Sequence, residues 1–180
     1  MGHERDARYY DAIYRSSSDY RLAPDDAPWA PLWRWCAARV QPHDTVIDLG
    51  CGPGHFARIV RCASYTGIDF SRIAIHSARQ RTRRTGFSFI VGTLPDALRP
   101  RCGSVVVACE FLEHVEHDLE CLALVTPGTR MLGTVPRNDD PSHVRTFPDR
   151  ASVLQRYGEH LEVTECQEIG DHIAFAGRRR

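Results

Sequence analysis

Lysine is missing from the chain: all 23 basic side chains are arginine, set against 23 acids. No lysine amine is therefore available for a Schiff base or for general-base chemistry. The balance of charge leaves no overall electrostatic footprint for a polyanion such as nucleic acid. The local patches Arg79, Arg81, Arg83 and Arg84, and the tail Arg178-Arg179-Arg180, read as a solvated helix face and a chain end. Also missing is any run of about 18 apolar residues, so no membrane partner is expected. The opening Met1-Gly2-His3-Glu4-Arg5-Asp6 lacks the apolar centre of a secretory signal and the hydroxyl residue a myristoylation pattern needs at position 6. Seven cysteines are scattered along the chain without one C-x-x-C pair. An odd count of this kind argues against a disulfide framework and for reduced thiols in a cytoplasmic protein.

What is present is an ordinary globular composition, 42% hydrophobic over 180 residues, which suits a single domain spanning 1–180. Residues 7–16 carry an aromatic stripe at helical spacing. Pro28 and Pro31 open a second helix over 29–40, with Trp29, Leu32, Trp33 and Cys36 on one face. Residues 1–40 are thus expected to form a short helical segment ahead of a core over 41–180. Within that core, β-branched runs at 45–49, 65–69, 87–91, 104–109 and 129–135 alternate with helical stretches at 55–62, 72–84, 116–125 and from Pro148 to Gly158. Two last strands, 161–168 and 171–177, flank a turn at Gly170. The alternation predicts an α/β fold: a doubly wound, Rossmann-like, mostly parallel seven-stranded sheet that ends in an antiparallel pair. Ligands in such sheets sit beyond the carboxyl ends of the strands.

Chemistry-bearing residues fall at those ends. After the first strand comes Asp48-Leu49-Gly50-Cys51-Gly52-Pro53-Gly54-His55. Glycines two apart allow a tight turn and close approach of a ligand to the backbone. His55 stands where a dinucleotide fingerprint places its third glycine, which disfavours a nicotinamide-dependent oxidoreductase. After the second strand, Asp69 lies about 20 residues beyond the turn, the distance at which an acid reaches a ribose diol.

With Val46-Ile47-Asp48-Leu49-Gly50-Cys51-Gly52-Pro53-Gly54, Gly67-Ile68-Asp69-Phe70-Ser71 and Val105-Val106-Val107-Ala108-Cys109-Glu110-Phe111-Leu112-Glu113-His114 in this order, residues 40–177 resemble the class I S-adenosylmethionine-dependent methyltransferases. The resemblance implies S-adenosyl-L-methionine as cofactor. By it, the stretch Asp48, Gly50, Cys51, Gly52 and Gly54 cradles the methionine part. Asp69 holds both ribose hydroxyls, Phe70 lies against adenine, and Glu110 sits near the reacting end. The chain departs from the family after the third strand, where Thr93 occupies the slot of an acid that meets the adenine amine. Thr93, Leu94 and their backbone, or Asp96, are left to make that contact. The helix around Tyr9, Tyr10 and Tyr14 resembles the one that covers the cofactor in relatives, a likeness that makes residues 1–40 a short helical lid.

The acceptor half admits more than one chemistry. Glu110, Glu113 and His114 share a face if their segment is helical, His117 follows one turn later, and His143 and Arg145 come after strand five, where they are expected to face the cofactor's methyl group. Glu113, His114 and His143 are the candidate catalytic residues, an imidazole being able to take a proton from the acceptor near neutral pH. The set Glu110, Glu113, His114 and His143 also resembles the divalent metal site of small-RNA 2′-O-methyltransferases. The expected function is methyl transfer to a small-molecule acceptor, at oxygen. The alternatives are a metal-dependent RNA 3′-end 2′-O-methyltransferase and a SAM-binding interaction protein without catalysis.

Overall fold

The computed structural model describes residues 2–98 and 102–180. Its elements follow the sequence in the order α1 (Ala7–Ser16), α2 (Ala30–Ala37), β1 (Thr45–Leu49), α3 (His55–Ile59), β2 (Ser64–Asp69), α4 (Arg72–Arg81), β3 (Phe87–Val91), β4 (Val105–Cys109), α5 (Asp118–Leu124), β5 (Arg130–Pro136), α6 (Arg150–Tyr157), β6 (Leu161–Ile169) and β7 (His172–Arg179). The seven strands form one sheet in the order β3-β2-β1-β4-β5-β7-β6. β1 through β5 pair in parallel, whereas β7 runs antiparallel to both β5 and β6. The expected doubly wound sheet with its antiparallel final pair is the fold observed.

Period-two patterning explains the two-sided core. Val46, Val105 and Val107 face one apolar layer with Phe56, Ile75 and Ala78, and their neighbours Ile47 and Val106 face the other with Leu122, Met131 and Phe175. Helix ends are where sequence spacing overshot. The helix expected over 55–62 stops at Ile59 because Val60 is already extended. That expected to reach residue 84 stops at Arg81, ahead of a turn with Gly86 at φ 80°. Ser71 caps α4 as expected, its hydroxyl accepting from Ala74 N. α6 starts two residues after Pro148, where Asp149 and Ser152 form a reciprocal cap.

Chain order in the sheet runs outward from β1 to β3 and then returns to β4. A crevice therefore opens between the loops leaving β1 and β4. α1 lies over it, tied down where Asp11 accepts from Ser71 Oγ (2.5 Å) and Ile73 N (3.4 Å). Residues 2–5 continue this cover: Gly2 N donates to His143 O (2.9 Å), Arg5 to Pro141 O (3.1 Å), and Glu4 accepts from Glu116 N (2.7 Å). No helix among the described residues is long and apolar enough to cross a membrane.

Candidate active site

The crevice has two compartments that share Tyr10, Tyr14, Gly50, Glu110 and His114. The smaller is lined by Asp69, Phe70, Thr93 and Leu94, and the larger, with a volume of about 300 Å³, by Asp48, Cys51 and Gly52. Gly50 of the bend thus lines both compartments, and Asp69, at the end of β2, lines the smaller.

Its geometry depends on glycine at one position above all. Gly50 has φ 68°, and a Cβ added there would lie 2.5 Å from the Phe111 ring. Cys51 N donates to Ile68 O (3.0 Å), which ties the bend to β2. Gly52 N donates to one oxygen of Asp69 (3.0 Å) and Ser71 N to the other (2.8 Å). Each carboxylate oxygen keeps a free lone pair, enough for a pair of vicinal hydroxyls. Burial pushes the Asp69 carboxyl up to about 6 against the opposing pull of these two N–H groups. Beneath the bend, buried Asp48 accepts from the Tyr65 hydroxyl, and burial raises its carboxyl to about 7. Gly54 lines neither compartment. A Cβ there would meet that of Ala78 at 3.0 Å, so its role is the close approach of the end of the bend to α4.

At the other end, the segment from Glu110 to His117 is a series of turns rather than the helix that would align its acids. Glu110 takes φ 53°, the left-handed region that favours glycine. Its carboxylate accepts from Thr134 Oγ1 (2.9 Å) and faces His172 Nε2 at 3.1 Å. That pairing raises the His172 imidazole above its ordinary value. Glu110 thus points away from the group it was expected to join. Glu113, His114 and His143 do converge, with ligand atoms within 4.8 Å of one another.

Glu113 is wholly buried, and neither carboxylate oxygen has a hydrogen-bond partner among the described residues. Burial first, then the charge of Glu110, raises its carboxyl well above the usual range. His114 Nδ1 lies 3.1 Å from Ser142 O and His143 Nδ1 lies 3.2 Å from Asn138 O. A carbonyl can only accept, so each Nδ1 carries the proton and each Nε2 keeps its lone pair. His114 Nε2 stands 3.5 Å from Glu113. Burial lowers the His114 imidazole despite the Ser142 contact, so it is uncharged at neutral pH.

Two expected members lie elsewhere. His117 is exposed and bonded to Glu120 (2.9 Å). Arg145 does not face the reacting end. It donates to the carbonyls of Leu112, Val115 and Glu116 and pairs with buried Asp118 (3.3 Å). It thereby stitches the loop after β5 to the turn that carries Glu113 and His114, a junction completed by Val144 N donating to Glu113 O (2.8 Å). Sequence spacing also missed a wall of the larger compartment built by Tyr20, Trp29 and His55 around Trp33. Helical periodicity assigns such rings to a core and gives no sign that they face open space.

The methyltransferase domain family matches residues 41–133. The ribosomal protein L11 methyltransferase of Burkholderia multivorans is 30% identical over 152 residues, which cover 81% of this chain and 47% of that protein. The chain spans about half the length of the curated relatives it matches. Among solved structures, the N-methyltransferase NodS of Bradyrhizobium japonicum, in complex with S-adenosyl-L-homocysteine, superposes with a TM-score of 0.76 at 19% identity, over 97% of this chain and 99% of that one. A chain of the complex between the Haloferax volcanii Trm112 methyltransferase activator and a methyltransferase gives a TM-score of 0.78 at 19% identity, over 94% and 97%. At such identities these likenesses establish the fold.

Proposed function

The chain belongs to the class I S-adenosylmethionine-dependent methyltransferases, and on that premise we propose that it moves the cofactor's methyl group to a hydroxyl oxygen of a small-molecule acceptor in the cytoplasm. The observation that carries the acceptor half of this reading is the convergence of Glu113, His114 and His143 beside the larger compartment, which His114 and His143 line and Asp69 does not. S-adenosylmethionine supplies an already activated methyl group, so placement of the acceptor is the main demand on the protein.

In this reading Asp69 accepts from the ribose hydroxyls and Phe70 covers adenine, with Thr93 and Leu94 along its edge. Gly50, Cys51 and Gly52 enclose the amino-acid end. Glu110, fixed by Thr134 and His172, stands where the two compartments meet. His114 Nε2 takes the acceptor's proton, a role that fits a neutral ring held by Ser142 O. The direct test is formation of S-adenosylhomocysteine over a panel of hydroxyl acceptors. Turnover with none of them, despite intact cofactor binding, favours the non-catalytic reading. Turnover only with an RNA 3′ end favours the RNA reading.

A second reading of the same cluster is supported by Glu113, whose two partnerless oxygens suit a cation. Two imidazoles with Nδ1 on backbone carbonyls and one buried carboxylate are the donor set of a divalent transition-metal site. Bound there, such an ion would lower the pKa of an acceptor hydroxyl. Calorimetric titration with Mn²⁺ checks it: wild type binds one ion and Glu113→Ala binds none. Full activity after chelation, with no Mn²⁺ uptake, removes the metal.

A further inference from the structure

The walls of the larger compartment constrain what can be methylated. Tyr20 and Trp29 stack at 5.0 Å with an 18° interplanar angle, and Trp33 stacks on His55 at 4.8 Å and 11°. Tyr20 and Trp29 are only partly buried and line the compartment, and Trp33, itself part of the core, reaches the same wall. His55 adds no charge, because burial lowers its imidazole to about 4. Among the described residues, no arginine lines this compartment. The acids that do include Glu110 and Asp140. Ring faces carry negative quadrupole charge and attract cations and the positive edges of other rings. Away from the backbone amides of the glycine bend, an anion here would meet carboxylates and ring faces with no counter-ion among the described residues, a costly desolvation.

We infer that the acceptor is an aromatic molecule that is neutral or cationic, and that the compartment rejects anionic and aliphatic hydroxyl compounds. This rests on the proposal of methyl transfer to a small-molecule hydroxyl. An arene ring slides against the Trp29 and Trp33 faces while its hydroxyl meets His114 and His143. A sugar phosphate or nucleotide brings charge that no arginine among the described residues of the compartment balances. An aliphatic diol offers no ring face to the wall.

Four probes test it: catechol, dopamine, 3,4-dihydroxybenzoate and cis-1,2-cyclohexanediol. Catechol and dopamine should exceed the other two in kcat/KM by at least about tenfold. Tyr20→Leu and Trp33→Leu, made separately, should each raise KM for catechol about three- to tenfold with kcat within about twofold. Equal or better turnover of the benzoate or the diol overturns the inference, as does an unchanged KM in both variants. Quenching of tryptophan fluorescence by the same probes, with S-adenosylhomocysteine present, reads binding without turnover. Selective binding of catechol and dopamine without methylation would sink the proposed reaction and leave the aromatic preference standing. Unselective binding would sink the preference itself.

Discussion

The end of the crevice that we assign to the cofactor and the end that we assign to the acceptor are assembled from different material. At the cofactor end the working groups are backbone amides and one carboxylate, contributed by a bend and a strand end within 22 residues, Gly50 to Ser71. At the acceptor end they are side chains on two loops, joined through Arg145, the Val144 amide and the His114–Ser142 contact. The first site is defined by where the main chain can go, and the second by which side chains the loops present. A cofactor pocket built from backbone can stay fixed while acceptor chemistry changes on the loops.

The comparison makes separable predictions. His114→Ala should reduce kcat by about 10²- to 10⁴-fold, the usual contribution of a general base. It should leave affinity for S-adenosylhomocysteine within about twofold. A parallel loss of affinity would merge the two ends into one unit. Gly50→Ala should act in the opposite sense. Its Cβ would overlap Phe111 in a left-handed backbone, so binding should fail, and denaturant unfolding should show about 1–3 kcal/mol less stability. Near-normal binding in that variant would mean the bend is not the cradle.

The smallest effect concerns pH. Asp48 is protonated more readily in the folded chain than in the unfolded one, with its carboxyl raised to about 7 by burial. Its contribution to stability is full below the ordinary carboxylate value and lost as pH rises through about 7. Asp48→Asn keeps an acceptor for the Tyr65 hydroxyl and cannot ionise. It should flatten the fall in Tm between acid and neutral pH and raise Tm by a few degrees at pH 8. An unaltered slope would show that Asp48 is not the group responsible.

The same division explains what could be read from the chain beforehand. The 45–49 and 87–91 strands, the glycine bend and Asp69 follow from local rules: β-branched runs, turn residues and a fixed distance between bend and acid. Glu110 could not be placed that way. Its distance from Glu113 and His114 suits a helix, yet the backbone turns at φ 53° and sends its carboxylate to Thr134 and His172. His172 becomes a neighbour only because β7 returns antiparallel to β5, bringing it opposite Pro136. Arg145 misled for a related reason: its position after strand five is shared with His143, but its guanidinium turns toward the carbonyls of Leu112 and Val115. Contacts between loops far apart in sequence are set by tertiary packing, which spacing does not encode.

The claim beneath all of this is that Asp69 and the glycine bend hold one adenosyl ligand, independently of the residues that serve the acceptor. Calorimetry with S-adenosylhomocysteine on wild type, Asp69→Ala and His143→Ala tests it in a single series. The expected result is 1:1 binding that weakens by about 1–3 kcal/mol in Asp69→Ala, the loss expected from stranding hydrogen-bonded polar groups, and is unchanged in His143→Ala. Equal affinity of wild type and Asp69→Ala would contradict it.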